Sequence, residues 1–148
     1  MSKNKTNIKM NSTLNKEKNI INKEYVYAIV GASRNKDKYG FKVLKQLNNA
    51  GFKVVPINPH ENHILGLKVY KTITQYVQDN GKIDVVVFVV PPAITEKILH
   101  EVKELKIKNV WMQPGSESQD SIKFCEQNNI NCIHNACIMI KSQGQKND

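Results

Sequence analysis

IVGASRNKDKYGFKVLKQL, residues 29–47, changes its pattern once, and that change sets the fold. The stretch enters as the end of EYVYAIV (24–30), which is β-branched, aromatic and almost wholly apolar. Such a run suits a strand covered on both faces. One glycine and a polar loop follow. Phe41, Val43, Leu44, Leu47 and Ala50 then recur at helical spacing, and Gly51 stands where that helix must stop. Strand, small turn, amphipathic helix is the opening unit of a parallel α/β sheet.

The rest of the chain repeats the alternation. KVVPIN (53–58) is a second strand, with Pro56 suited to an edge or a strand end. A loop with Pro59, His60 and His63 leads to LKVY (67–70), read as a short strand. Ile73, Tyr76 and Val77 mark a short helix closed by Gly81. DVVVFVV (84–90) is the strongest strand signal. Residues 92–106 place Ile94, Ile98, Val102 and Leu105 on one helical face, with Pro92 in the first turn. NVWMQ (109–113) is a strand in which Trp111 packs in the core. Ser116 is placed to cap a helix over 117–128, with Gln119 three residues on. NCIHN, from 131, ends the series. Crossover helices between wholly apolar strands predict a Rossmann-like, doubly wound parallel sheet of five to six strands in a single α/β domain.

The totals agree with one domain. The chain has 148 residues, 40% of them apolar, and a formal net charge of +9. That charge lies mostly at the ends: residues 1–23 hold six Lys and one Glu, and 141–148 two Lys and one Asp, so 9 − 5 − 1 leaves +3 for the middle. A nucleic-acid partner is therefore not favoured. Residues 1–23, rich in Lys and Asn, read as a disordered extension, 24–140 as the folded domain and 141–148 as a flexible tail. Three cysteines without a C-x-x-C pair, and no apolar run of membrane-spanning length, fit a reducing, cytoplasmic setting. The alternative is an organelle reached through the basic extension. No membrane partner is expected. A homodimer or a protein partner is compatible with the sequence.

In such sheets ligands bind beyond the carboxyl ends of the strands. After the first strand come Gly31, Ala32 and Ser33, a turn small enough for backbone amides to approach a phosphate. Arg34, Lys36, Lys38 and Lys42 add positive charge, and Tyr39 borders the site. After the second come Asn58 and Pro59, where a nicotinamide dinucleotide site wants an acid for the ribose. The G-x-G-x-x-G pattern is missing as well. Val90, Pro91 and Pro92 form a stiff turn without amide donors at the prolines, a wall for an adenine or a pantetheine arm. Gln113, Pro114 and Gly115 complete the rim.

GAS at 31–33, INP at 57–59, the G-x-K-V-Y of 66–70, VVPP at 89–92 and WMQPG at 111–115 occur in one order. On these the chain resembles the stand-alone CoA-binding domain proteins, which are similar to the N-terminal domain of the succinyl-CoA synthetase alpha subunit. The resemblance covers about residues 24–140. It implies a domain that binds coenzyme A through Gly31, Ala32, Ser33, Asn58, Pro59, Val90, Pro91, Pro92 and Gln113. Arg34 and Lys38 join this set on electrostatic grounds. It implies no ligation machinery, because the synthetase's phosphorylated histidine lies in a second domain. Where relatives carry Asn- or Asp-Arg-Cys after the last strand, this chain has Asn135, Ala136 and Cys137.

The function expected is binding of CoA or a short acyl-CoA without evident catalysis. An NAD(P)-binding reductase or redox sensor is the alternative. His60, His63, His100 and His134 show no partner spacing for catalysis, and His60 with His63 lacks a third metal ligand. Cys137 follows the last strand near the ligand edge, whereas Cys125 and Cys132 read as core.

Overall fold

A computed structural model describes residues 20–145. Its elements are β1 (Val26–Val30), α1 (Tyr39–Asn49), β2 (Lys53–Ile57), β3 (His63–Ile64), β4 (Leu67–Lys68), α2 (Ile73–Asn80), β5 (Val85–Phe88), α3 (Pro92–Glu104), β6 (Asn109–Met112), α4 (Gln119–Gln127), β7 (Asn131–Ile133) and α5 (Ile138–Lys141), followed by a 3-10 turn (Ser142–Gln145). Five strands form one parallel sheet in the order β2-β1-β5-β6-β7. β1 thus has β2 on one side and β5 on the other, and the chain reverses its direction across the sheet there.

Helices cover both faces. α1 and α5 pack through Phe41, Val43, Leu44, Leu47 and Ile138 on Tyr27, Ile29, Val85, Val87 and Trp111. α2, α3 and α4 pack through Ile73, Leu99, Val102 and Cys125 on Ala28, Val86, Phe88, Val110 and Met112. Alternate residues of each central strand serve the two layers, so β5 is apolar at every position and fully buried. Trp111 is wholly buried and its indole N–H donates to the Ala136 carbonyl at 2.9 Å, which satisfies its one polar group. Pro56 lies on the edge strand, where a missing donor does no harm.

Several local expectations change. Residues 67–70 add no strand to the main sheet. Leu67 and Lys68 instead pair antiparallel with His63 and Ile64, and only Tyr70 bridges back to Ile57. Leu65 and Gly66 both take positive φ, which closes the two-residue turn. The helix at 119 is capped by Ser118 rather than Ser116. Ser118 Oγ accepts from the Ser121 amide and Ser121 Oγ accepts from the Ser118 amide, a reciprocal box. On α3, Ile94 is exposed, and Thr95, Leu99 and Val102 form the buried face.

The amino-terminal boundary moves as well. The extension was expected to run to residue 23, but Ile20 and Ile21 are buried in the core. The Tyr27 hydroxyl donates to the Ile20 carbonyl and accepts from the Asn22 amide, which straps this segment to the sheet. Burial pushes the Tyr27 pKa up to about 12, against the opposing backbone hydrogen bond from Asn22. Two isoleucines within Lys- and Asn-rich sequence give no periodic signal, which is why they read as tail. At the other end Ser142 is buried where a flexible tail was expected. The expectations for residues 1–19 and 146–148 fall outside the described residues.

Candidate functional site

A cleft of about 950 Å³ opens above the carboxyl ends of β1, β2, β5 and β6, where the chain reverses. Its position follows from connectivity, since the crossovers on either side of β1 leave towards opposite faces.

One wall is the turn from β1 into α1. Gly31 has φ +94, and a Cβ there would overlap the Val89 carbonyl. Gly40, in the first turn of α1, lies directly on the Gly31 carbonyl, so a Cβ there would overlap that oxygen. The helix therefore seats backbone on backbone. Among the described residues no side chain caps α1 and its first turn holds no acid. Its positive end thus opens on the cleft beside Lys38. The loop is held by local bonds. Ser33 Oγ accepts from the Asn35 amide, and Asn35 Oδ1 accepts from the Asp37 amide, both at 3.0 Å.

Asn58 holds the second wall to the first. Its Nδ2 donates to the Ala32 carbonyl at 2.8 Å, and its Oδ1 accepts from the His60 amide at 2.7 Å. The side chain is spent on fixing two loops. Pro91 precedes α3 as its N-cap and Pro92 is its first residue, so that helix offers no amide donor from these two. Val90 is held by its amide, which donates to Ser116 Oγ at 3.1 Å. Gln113 is buried; its Oε1 accepts from the Ile138 amide at 2.7 Å and its Nε2 faces Cys137 Sγ at 3.4 Å.

Of the residues expected at a ligand, Gly31, Ala32, Ser33, Lys38, Asn58, Val90, Pro91, Pro92 and Gln113 line one cleft, together with Tyr39 and Cys137. Arg34 and Pro59 do not line it. The Arg34 guanidinium turns to Glu61 at 3.8 Å on the exposed rim, and the Pro59 carbonyl accepts from Lys71 Nζ at 3.2 Å. Gly40 and Ser116 were not anticipated. Gly40 stands nine residues after Gly31, too far for a dinucleotide fingerprint, yet it gives the close helix packing that a late glycine of that fingerprint supplies. A glycine in the first turn of a helix, next to Tyr39, is the signal for it. His60, His63 and His100 are exposed and outside the cleft; His100 packs edge-on against Phe124. Cys125 lies on the buried face of α4, where a hydrogen bond with the Cys132 thiol lowers its pKa. Among the described residues no group of His, Cys, Asp and Glu is arranged to hold a metal ion, and no helix is long and apolar enough to cross a membrane.

A single parallel α/β sheet with helices on both faces and a glycine turn at the sheet's reversal is the Rossmann-like architecture. Within that class this chain belongs to the CoA binding domain family, whose sequence model matches residues 25–143. It is 37% identical over 121 residues to an ADP-forming acetate–CoA ligase of Methanocaldococcus jannaschii, an overlap covering 76% of this chain and 17% of the ligase. The chain thus spans less than a fifth of the length of the curated ligases it matches. A conserved hypothetical protein of Pyrococcus furiosus shares 39% identity and a TM-score of 0.74, over 79% of this chain and 98% of that one. A hypothetical protein from Pyrococcus horikoshii has the same fold, with a TM-score of 0.78 at 23% identity, over 90% of this chain and 91% of that one.

Proposed function

We propose that this protein binds coenzyme A, or a short acyl-CoA, in the cleft above β1. The observation that carries the reading is the division of labour between its walls. On one side the uncapped end of α1 and Lys38, which outweigh the single Asp37 carboxylate on the same wall, meet an anion. On the other, Val90, Pro91 and Pro92 offer shape without amide donors at the prolines, suited to an adenine face or a pantetheine arm. Family membership and the ligase relatives support the same ligand.

Asn58 weighs against a nicotinamide dinucleotide. An NAD site uses a carboxylate at this place to accept from the ribose hydroxyls. Here the residue carries no charge, and both its polar atoms are engaged by the protein. Among the described residues that line the cleft none is a histidine, so the reading is one of binding without catalysis. Catalysis of acyl transfer would belong to a partner.

Calorimetric titration with CoA, dephospho-CoA, NAD and NADP, in reductant, tests this. Binding of CoA in the micromolar range or tighter, about −8 kcal/mol, is expected. It should weaken without the 3′-phosphate and vanish for the dinucleotides. Binding of NAD or NADP without CoA binding would overturn the proposal.

A further inference from the structure

A second cleft, of about 780 Å³, runs along the outer side of α1 towards α5. Phe41, Ala50 and Met139 give it an apolar floor, and Lys36, Lys42 and Lys45 stand on its rim. Gln46 Nε2 donates to the Met139 carbonyl across it, which ties α5 to α1. Among the described residues its lining holds no acid.

The charge of the helices is divided by face. α1 and α5 carry Lys42, Lys45 and Lys141 and no acid. On the opposite face α2, α3 and α4 carry Asp79, Glu96, Glu101, Glu104, Asp120 and Glu126 against Lys97, Lys103 and Lys123, so six acids less three lysines give −3. A merely solvated helix surface mixes both signs, as α3 does. An apolar floor inside a rim of one sign is the pattern of a recognition surface.

We propose that the cleft between α1 and α5 docks an acidic segment of a partner protein, apolar side chains entering over Phe41 and Met139 and carboxylates meeting Lys36, Lys42 and Lys45. Other occupants fit less well. Residues 1–19 hold five Lys and one Glu, the same sign as the rim. A second copy would bring its acidic face to this basic one, a head-to-tail contact that builds rings or open chains rather than a two-fold pair. A nucleic acid would satisfy the lysines and leave the apolar floor uncovered. The same helix lines the ligand cleft through Tyr39 and Gly40, so an occupant here lies one helix away from the proposed CoA pocket. The docking surface stands whether or not that ligand is CoA.

The test uses the full chain without CoA and two helical peptides of about 20 residues, one with Glu flanking Leu anchors and its counterpart with Gln for every Glu. Calorimetry should show the Glu peptide binding and the Gln peptide weaker by about tenfold or more. Raising salt from about 50 to about 300 mM should erode that difference. The double variant Lys42→Glu, Lys45→Glu should lose binding about tenfold, while Lys97→Glu, Lys103→Glu on α3 keeps it within about twofold. All four lysines are exposed, so both variants should fold, which circular dichroism checks. Equal binding of the two peptides, equal loss in the two double variants, or no binding at all would overturn the proposal. So would tighter binding of a single-stranded DNA of equal charge, lost in the α1 variant, or concentration-dependent polymerisation of the chain alone at low salt.

Discussion

Gly40→Ala is the substitution on which two opposing effects can be set against each other. Within a helix, Ala is ordinarily better than Gly by about 1 kcal/mol. At Gly40 the added methyl overlaps the Gly31 carbonyl oxygen and comes 2.9 Å from its carbon. The obstacle is backbone, and it is pinned. The Gly31 amide donates to the Ile57 carbonyl at 3.3 Å, and the next carbonyl, of Ala32, accepts from Asn58. The turn has nowhere to go, so α1 must back away and open its packing of Phe41 and Leu44 on the sheet. Overpacking of this kind costs about 1–3 kcal/mol, nearer the upper figure where the neighbour is main chain. The net expectation is destabilisation by about 2 kcal/mol, or a fall of roughly 4–8 °C in Tm for a chain of this size. Urea unfolding followed by circular dichroism should show a lower midpoint at unchanged slope. Because α1 carries its positive end with it, CoA affinity should fall several-fold in calorimetry. Asn49→Ala, at the exposed end of the same helix, is the control and should move the midpoint only by a few tenths of a kcal/mol. If Gly40→Ala raised the midpoint, propensity alone would be acting and the helix could not be seated on Gly31.

Other expectations follow from the same geometry. Gly31→Ala combines a φ of +94 with overlap of the Val89 carbonyl, and should cost more than about 2 kcal/mol while abolishing ligand binding; thermal melts and calorimetry check both. Tyr27 titrates at about 12 in the fold against about 10 unfolded, so the folded state favours its neutral form. Its contribution is complete below pH 10 and is lost as pH rises from about 10 to 12, by about 2 kcal/mol in urea titrations, a loss that Tyr27→Phe should not show. Tyr27→Phe itself should cost about 1–2 kcal/mol at neutral pH by leaving the Ile20 carbonyl and Asn22 amide without their partner. Ser118→Ala removes one half of the capping box and should lower stability by about 1 kcal/mol without changing CoA binding.

What the sequence disclosed depended on how far each signal reached. β1 and β5 were legible because strands buried on both faces must be apolar at every position. The proline at 92 and the glycine after α1 marked helix ends through backbone chemistry that acts locally. The lining of the cleft was legible for the same reason, since residues just past a strand's end fall on the carboxyl edge of the sheet whatever their side chains do. The misses are decisions made between distant residues. That Arg34 stands on the exposed rim beside Glu61, 27 positions on, rather than in the cleft lining, is one of these. Ile94 fits a helical stripe as well as Thr95 does, and only the position of the sheet shows which one is covered. Ser116 and Ser118 both precede a helix; Ser116 was drawn to the Val90 amide by the neighbouring strand, which left the cap to Ser118. Gly40 was visible, but its reason was a carbonyl nine residues away.

The backbone-to-backbone seat of α1 also separates two kinds of change over time. The position of the helix's positive end is fixed by two glycines and a turn, none of which uses a side chain on the outer stripe. Lys45 and Asn49 can therefore be exchanged without displacing the rim of the cleft above β1, whereas Lys42, whose Nζ lies 5.2 Å from the Tyr39 ring centroid, touches that rim. A lineage that keeps Gly31 and Gly40 keeps the cleft above β1 in place while the outer stripe of α1 changes, with one helix bordering both clefts.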